Sequence, residues 1–500
     1  MEIKLDSKTI TSFKELTYQK RVIQEICESV VPDTDEDIGK IAAVHSSVLL
    51  KSKDITNHGV LITGEASASL IYITESQEKL SYMKIKKSFS IEYDVPGITQ
   101  NDVAQVNLVV VSNEAKLINP RKVSVCFEIE GALSCYVSEE LPVEYGISDD
   151  CTKGIHVKYE SAEIGLISAV CEKTFSINEQ LGFVNGKPEP SKIVSADARL
   201  YVIDTQFVGT KAIVKGNVEI QLTYFSDEVS YPVKSELNSA FSQVIDISDE
   251  KVDGCNIIPS VTGLYYNIAD SISGDKLLDL ELHAVLQLSC RSNRHILYIS
   301  DAYSNVMNSD CIREKSIYNT ISETRKIKMS ADERLNVAED CADVLSLFVS
   351  IGHLLHDEDQ LKADIFVDII YKKDNGEIST VRRAVKMQSE LPVTGCRISA
   401  AKLTDIYLRP EGQLIDSHIA LELFYITCSA IEVNKVQSIK LVEEKIIELD
   451  KYPTVTLVRC SEETLWDLAK TYHSSVEKII ASNENCEDIY GKMILVPKSI

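Results

Sequence analysis

The sequence predicts a mainly β protein with three tandem β-rich repeats of sandwich or barrel type, followed by a small strand-helix-helix-strand unit. Alternating apolar and polar residues recur in many short segments, for example from Val106 to Val110. The same series of segments returns further along the chain at a fixed offset. In the last fifty residues, apolar residues recur at the spacing of a helix. The alternation over many short strands favours antiparallel sheets with one buried and one solvated face.

The first forty residues differ from the rest of the chain. The segment Tyr18 to Val30 has a composition typical of a helix, and a Pro-Asp-Thr-Asp-Glu-Asp turn follows it at residues 32–37. From Ile41 onward the alternation begins. We therefore expect a partly helical N-terminal segment before the first β repeat.

The repeat is visible as one nine-residue pattern that occurs three times. The segment Gly64 to Tyr72 matches Gly216 to Tyr224 at a shift of 152 residues, and the same shift superposes Phe89 on Phe241. A third copy, Ala363 to Tyr371, has alanine in place of the glycine. Several matches at one spacing indicate a true duplication, and the shared glycine and tyrosine are interpreted as structural residues of the sheets.

Each repeat has the size of a domain. The predicted domains are residues 1–150 (the N-terminal segment and first repeat), 151–308 (second repeat), 309–447 (third repeat) and 452–500 (C-terminal unit). Linkers are expected near residues 148–150, 305–309 and 443–453.

Composition excludes several classes of function. The 500 residues carry a formal net charge of −24, which argues against nucleic acid or an anionic membrane as a direct ligand. The 13 cysteines are spread singly, as expected for reduced thiols in a cytosol. Residues 1–12 lack the pattern of a secretion signal, and no apolar run is long enough to span a bilayer. We therefore expect a protein that is not secreted.

No catalytic motif is found. The sequence lacks a phosphate-binding loop, a dinucleotide glycine fingerprint, a nucleophile elbow and a His-Glu-x-x-His zinc motif. The segment from His353 to Asp359 has two histidines and three acidic residues, but it is interpreted as a solvated loop between two strands rather than a metal site. Cys460 is interpreted as a packing residue. The prediction is a protein that is not an enzyme, without cofactor or metal.

The last fifty residues form a compact pattern of their own. A short strand at residues 455–458 precedes a helix that Ser461 is expected to cap, and this helix contains Trp466, the one tryptophan of the chain. Ser474 or Ser475 opens a second helix with Ile479 on its buried side, and Asn483 ends it. A turn at Gly491 leads to a last strand that Pro497 closes.

This unit resembles the LysM domain in the order of its elements and in Thr464, Leu465, Trp466, Val476, Glu477, Asn483, Gly491 and Pro497. It departs from the family pattern at Glu462-Glu463 and at Tyr490. LysM domains bind N-acetylglucosamine polymers in a shallow groove between two loops, and here those loops are acidic. Trp466 is interpreted mainly as a packing residue at the groove wall. The resemblance implies a partner-binding surface made by the groove and its flanks, namely Glu462, Glu463, Thr464, Trp466, Ile479, Asn483, Asn485 and Tyr490.

Three β repeats followed by a LysM domain resemble the SipL-like spore-coat proteins, whose repeats are called SPOCS domains. The loose motifs Gly64…Tyr72, Gly216…Tyr224 and Leu391-Pro392-Val393 carry this resemblance together with the order of the domains. It implies a spore-coat morphogenetic protein of the mother-cell cytoplasm, located at the forespore surface. Its LysM domain would bind the coat-basement ATPase SpoIVA, a protein partner that suits an acidic groove.

Two other functions remain open. The LysM-like unit could bind peptidoglycan or another N-acetylglucosamine polymer, which its family resemblance allows. The repeats could also assemble with other coat proteins or with further copies of the chain, because sheets with pairable edges can associate. Loss of partner binding on removal of residues 452–500 distinguishes the adaptor hypothesis from both.

Overall fold

The computed structural model describes residues 2–498 except 77–78, 148–153, 185, 250, 273, 338, 358–359, 390–395, 448–450 and 485–488. Strands make up most of the described chain, which confirms a mainly β protein. The predicted linker at 148–150 and the Leu391-Pro392-Val393 motif lie outside the described residues.

The first unit of the fold has a long opening strand, a three-stranded meander and a long closing hairpin. Its strand β2 pairs with β7, β7 pairs with β6, and β3, β4 and β5 form a separate sheet. A two-residue strand, β1, precedes the unit and pairs with the distant β19. The strands are β1 (Glu2–Ile3), β2 (Leu5–Val30), β3 (Ile38–Ile55), β4 (Gly59–Thr74), β5 (Leu80–Asp94), β6 (Val103–Asn119) and β7 (Lys122–Ile147).

The second and third units repeat this order of strands. In each, the opening strand pairs with the closing strand, and the meander forms its own sheet. The second unit contains β8 (Ile155–Gly182), β9 (Lys192–Val208), β10 (Lys211–Ser226), β11 (Val229–Asp246), β12 (Gly254–Asp270) and β13 (Lys276–Ser304). The third contains β14 (Met307–Asn336), β15 (Cys341–Asp357), β16 (Gln360–Lys373), β17 (Ile378–Ser389), β18 (Cys396–Glu411) and β19 (Leu414–Ile446).

The two sheets of each unit enclose its apolar core. Tyr72, Tyr224 and Tyr371 occupy matching positions on the central meander strands and are buried in the three respective cores. The tyrosine of the repeated pattern is therefore a core residue, because its ring fills the space between the sheets.

The shared glycine is explained by the aromatic residue that faces it across the strands. Gly64 pairs with Phe89, and Gly216 pairs with Phe241. A Cβ atom on Gly64 would lie 2.4 Å from the Phe89 ring, so the ring occupies the space that a side chain would need. In the third unit the corresponding pair is Ala363 and Met387, in which a flexible side chain leaves room for the extra methyl group.

The three units contact one another in a closed ring. Gln287 of the second unit exchanges two hydrogen bonds, of 2.8 and 3.0 Å, with the backbone of Val106 in the first. The ammonium of Lys402 in the third unit lies 2.9 Å from the Glu219 carboxylate of the second. Lys435 of the third unit donates a 2.7 Å hydrogen bond to the carbonyl of Pro142 in the first. We call this ring of three units the body.

Several sequence interpretations of local structure are wrong. The segment Tyr18 to Val30 is not helical but belongs to β2, whose partner β7 supplies its backbone hydrogen bonds. The segment around His353 is not a loop, because β15 continues to Asp357. Pairing with a neighbouring strand outweighs helical composition in the first case and acidic composition in the second. The expected linker at 443–453 likewise begins later, since β19 extends to Ile446.

The C-terminal unit follows the body and consists of two strands and two short helices. Its elements are β20 (Val455–Arg459), α1 (Leu465–Thr471), α2 (Val476–Ala481) and β21 (Met493–Pro497). The two strands pair antiparallel. Thr464, rather than Ser461, is the N-cap of α1, because its hydroxyl accepts from the Asp467 backbone while the Asp467 carboxylate bonds back. Ser475 caps α2 as expected.

Candidate functional site: the C-terminal unit and its junction with the body

The core of the C-terminal unit includes a residue of the body. Leu468, Ala469 and Ile479 are buried together with strand residues of β20 and β21. Tyr303, near the end of β13, belongs to the same apolar cluster and is 2% exposed. Since a unit of under fifty residues has little apolar surface to bury by itself, this contact enlarges its core.

Tyr303 makes polar and aromatic contacts across the junction. Its hydroxyl donates a 2.9 Å hydrogen bond to the carbonyl of Ser474, just before α2. Its ring meets the Trp466 ring edge to face at 4.9 Å and stacks on His156 at 5.0 Å. Burial raises the pKa of the Tyr303 hydroxyl, which therefore stays a donor at all physiological pH values.

Asp301 is the polar centre of the junction. Its carboxylate accepts a 2.8 Å hydrogen bond from the indole nitrogen of Trp466 and bonds of 2.8 and 2.9 Å from the Lys470 ammonium. The guanidinium of Arg313, at the start of the third unit, lies 2.7 Å from the same carboxylate. Asp301 thus joins the second unit, the third unit and α1 through one buried group.

The pKa of Asp301 reflects these partners. Burial by itself would raise the pKa, but the hydrogen bonds from Lys470, Trp466 and Arg313 favour the charged form more strongly. The pKa of Asp301 is therefore below its ordinary value. A carboxyl group with a lowered pKa stabilises the folded junction at neutral pH and loses this contribution as the pH falls through the lowered value.

We expect acid to release the C-terminal unit from the body. Emission of Trp466 should remain constant from pH 8 to 5 and shift to longer wavelength only at pH values below the ordinary pKa of an aspartate, about 3.9, because the pKa of Asp301 is lowered. An Asp301→Asn variant should lack this acid transition, because its side chain is neutral at every pH. A transition that begins above pH 5, or one that persists in the variant, would contradict the role of Asp301.

The loop between β20 and α1 is organised around Glu463. The carboxylate of Glu463 accepts hydrogen bonds from the backbone and hydroxyl of Ser461, at 2.9 and 3.0 Å, and from the backbone of Glu462 at 3.2 Å. These bonds, led by that of the Ser461 backbone, lower the pKa of Glu463 to about 2. The loop therefore carries a fixed negative charge, with the exposed Glu462 beside it.

The turn before β21 lies next to this loop. The backbone of Gly491 donates a 2.9 Å hydrogen bond to the carbonyl of Cys460, and Cys460 donates one of 3.0 Å to Lys492. The Tyr490 side chain is 75% exposed in this turn. Cys460 itself is buried, and burial raises the pKa of its thiol, which fits a packing residue and not a nucleophile.

Two of the predicted site residues stabilise the unit from inside. Ile479 is fully buried in the core. The side-chain amide of Asn483 donates 2.7 Å hydrogen bonds to the carbonyls of Ile479 and Leu495 and accepts one of 2.8 Å from the Leu495 backbone. Asn483 thereby ties the end of α2 to β21. Asn485 lies outside the described residues.

The structure therefore separates the predicted site residues into three sets. Glu462, Glu463 and Tyr490 are exposed on neighbouring loops, and the exposed Thr464 caps α1 beside them. Ile479 and Asn483 hold the unit together, while Trp466 faces the body. Sequence reasoning missed Asp301 and Tyr303, since no sequence signal relates them to a helix that begins more than 150 residues later.

The side chains of residues 356–359, on which the metal-site alternative depends, lie outside the described residues. His353 lies in β15 with its Nε2 atom 3.4 Å from the Glu128 carboxylate of the first unit. No group of three or more His, Cys, Asp or Glu side chains within the described ranges is arranged to hold a metal ion. No helix in that part of the chain is long and apolar enough to cross a membrane.

The first and second units share the order and pairing of their strands. A comparison with known families also matches these two units to one family model. Two segments match the family model of the SipL, SPOCS domain. The SPOCS segments are residues 37–118 and 189–269, which contain β3–β6 and β9–β12, the same four strands of the two units. They cover about a third of the 500 residues, and the match indicates a protein of sporulation.

The other two comparisons return nothing. No curated protein and no solved structure matches the chain. The equivalent strands of the third unit, β15–β18, lie outside the SPOCS match, as does the C-terminal unit. Their assignments as a third SPOCS repeat and a LysM domain stay predictions.

Proposed function

We propose that this chain is a non-enzymatic spore-coat morphogenetic adaptor, made in the mother-cell cytoplasm and acting at the forespore surface. Its C-terminal unit, a LysM-type domain, binds the coat-basement ATPase SpoIVA, and its three SPOCS-type units form the body that presents it. The observation that carries the proposal is the SPOCS match in two of three units that share one strand order. The proposed role is to help encase the forespore with coat.

The junction geometry supports the loops as the partner-binding surface. The Trp466 indole is bonded to Asp301 and packed against Tyr303, so it positions the unit on the body. The carboxylates of Glu462, Glu463 and Glu484 are exposed. Such an acidic surface fits a basic patch on a protein partner and adds to the association rate through long-range attraction.

The same geometry disfavours the glycan alternative. An aromatic platform for sugar needs an open ring face, and the indole of Trp466 is half-buried at the junction. A protein partner that contacts the acidic loops does not need this ring. The adaptor function is therefore favoured over binding of an N-acetylglucosamine polymer.

The test is the affinity of the full chain for purified SpoIVA. We expect the double charge reversal Glu462→Lys/Glu484→Lys to weaken binding about tenfold, because each reversal replaces attraction with repulsion at the interface. The matched control is Glu333→Lys/Glu411→Lys, which reverses two exposed carboxylates of the third unit and should bind like the original chain. Equal affinities of the two double variants would contradict the proposal, as would saturable binding of N-acetylglucosamine oligomers without SpoIVA binding.

A further inference from the structure

A large, open cavity lies where the second and third units meet beside the first. Its volume is about 770 Å³, within the range of small-molecule sites. His45 of the first unit reaches its wall, and β10, β11, β15 and β18 supply most of the rest. Much of the lining is apolar, including Leu222, Val233, Leu345, Leu347, Leu403 and Ile406.

One cation in this cavity has no polar partner. Among the described residues the Lys234 ammonium makes no hydrogen bond and no ion pair, and it lies 4.1 Å from the centroid of the Phe348 ring. The side chain is surrounded by residues of the body but is exposed, because it faces the open cavity. Burial, together with the Arg199 charge, lowers the pKa of Lys234 to about 8, so the amine is still mostly charged at neutral pH.

The other charged side chains that line the cavity either have polar partners or are exposed. Lys402 pairs with Glu219 at 2.9 Å, and the Lys187 ammonium donates to the carbonyl of Lys234. Glu236 and Asp405 also line the wall, but both are exposed and neither forms an ion pair with Lys234.

The charges just beyond the wall are paired in the same way. Arg199 lies 3.2 Å from Asp197, and Arg382 lies 3.6 Å from Asp368. The negative charge of Asp368 raises the pKa of Lys234 over a longer distance, without direct contact. The hydroxyls of Ser235 and Ser346, which are buried beside the cavity, have no hydrogen-bond partner either.

We propose that this cavity binds a small organic carboxylate with an apolar body, whose carboxylate pairs with the Lys234 ammonium. The Lys234 ammonium faces the open cavity without a carboxylate in contact, and a ligand carboxylate entering the cavity would form a charge-assisted hydrogen bond with it. The apolar lining would hold the rest of the ligand, in the manner of pockets that combine an apolar wall with a few polar groups. A phosphate dianion fits less well, since the wall offers no second unpaired cation among the described residues.

The site requires the three units together, because His45, Lys234 and Phe348 come from the first, second and third unit respectively. A ligand bound there would contact more than one unit and stabilise the ring. This role is separate from partner binding by the C-terminal unit.

The experiment is calorimetric titration of the full chain with octanoate and with benzoate, as an aliphatic and an aromatic probe. We expect saturable binding of at least one probe at one site per chain. The Lys234→Met variant should bind at least tenfold more weakly, Lys234→Arg should keep most of the affinity, and Lys215→Met, at an exposed lysine of β10, should bind like the original chain.

Three outcomes would overturn the proposal. The first is that neither probe saturates the original chain, which would show that the cavity does not take a carboxylate with an apolar body. The second is that Lys234→Met binds as tightly as the original chain, which would place the probe on some other apolar surface. The third is that Lys234→Arg loses as much affinity as Lys234→Met while both variants keep the original melting temperature, which would remove the charge as the cause.

Discussion

Replacement of Asp301 with alanine is expected to separate the C-terminal unit from the body. The carboxylate accepts hydrogen bonds from Trp466 and Lys470 and pairs with Arg313, and all three would lose their common partner. Asp301 is buried, but the Lys470 and Arg313 side chains are 39% and 43% exposed and can be solvated after its removal, so we expect a cost of about 1.5–3 kcal/mol. Because Trp466 is the one tryptophan of the chain, its emission reports the junction directly and should shift to longer wavelength.

Proteolysis gives a second measurement of this release. The segment between β19 and β20 should be cut much faster in the Asp301→Ala variant, while the body keeps its β-sheet circular dichroism. Asp310→Ala is the matched control, since Asp310 is exposed at the start of β14 and should leave both signals unchanged. An unchanged tryptophan spectrum in the Asp301→Ala variant would show that apolar packing around Tyr303 holds the unit without this network.

The second large effect is expected at Gly64, the glycine of the repeated pattern in the first unit. Gly64→Ala places a methyl group 2.4 Å from the Phe89 ring and 2.9 Å from the Leu49 carbonyl, so the central meander strand or the ring must move. Overpacking of this kind costs about 1–3 kcal/mol. We expect a clear decrease in the denaturant midpoint of the full chain, measured by circular dichroism.

The third unit suggests the compensating change. It carries Ala363 opposite Met387, so Gly64→Ala/Phe89→Met should recover at least half of the lost stability in a double-mutant cycle. Gly182→Ala serves as the control, because a Cβ atom there meets no atom within 4 Å. If the double variant were no more stable than Gly64→Ala, the Phe89 ring would not be the source of the overpacking.

Local pattern predicted much of the fold correctly. Alternation of apolar and polar residues indicates strands because successive side chains point to opposite faces, and it held across the three units. The tyrosine at the end of the repeated pattern is buried in every unit, as its structural interpretation required. The Gly64 and Phe89 positions were recognised as part of the repeat, although their contact across two strands was visible only in the structure.

Composition predicted the wrong secondary structure where pairing with a distant strand decides the conformation. The Tyr18 to Val30 segment contains residues that favour helices, yet β7 pairs with it along its whole length. Strand preference depends on such neighbours more than on the segment itself, so the segment alone could not reveal it. The same reason applies to the histidines of β15, which a loop interpretation placed outside any sheet.

The sequence by itself determined that the chain is a mainly β protein with duplicated strands, and it predicted the two helices near Trp466, although Thr464 and not Ser461 caps the first. Only the tertiary structure decided what Trp466 contacts and that, among the described residues, the Lys234 ammonium has no hydrogen bond or ion pair. Strands and helices depend on residues a few positions apart, and these spacings can be read directly from the sequence. The junction at Asp301 and the cavity at Lys234 unite groups from distant segments, whose meeting depends on how the three units close around one another.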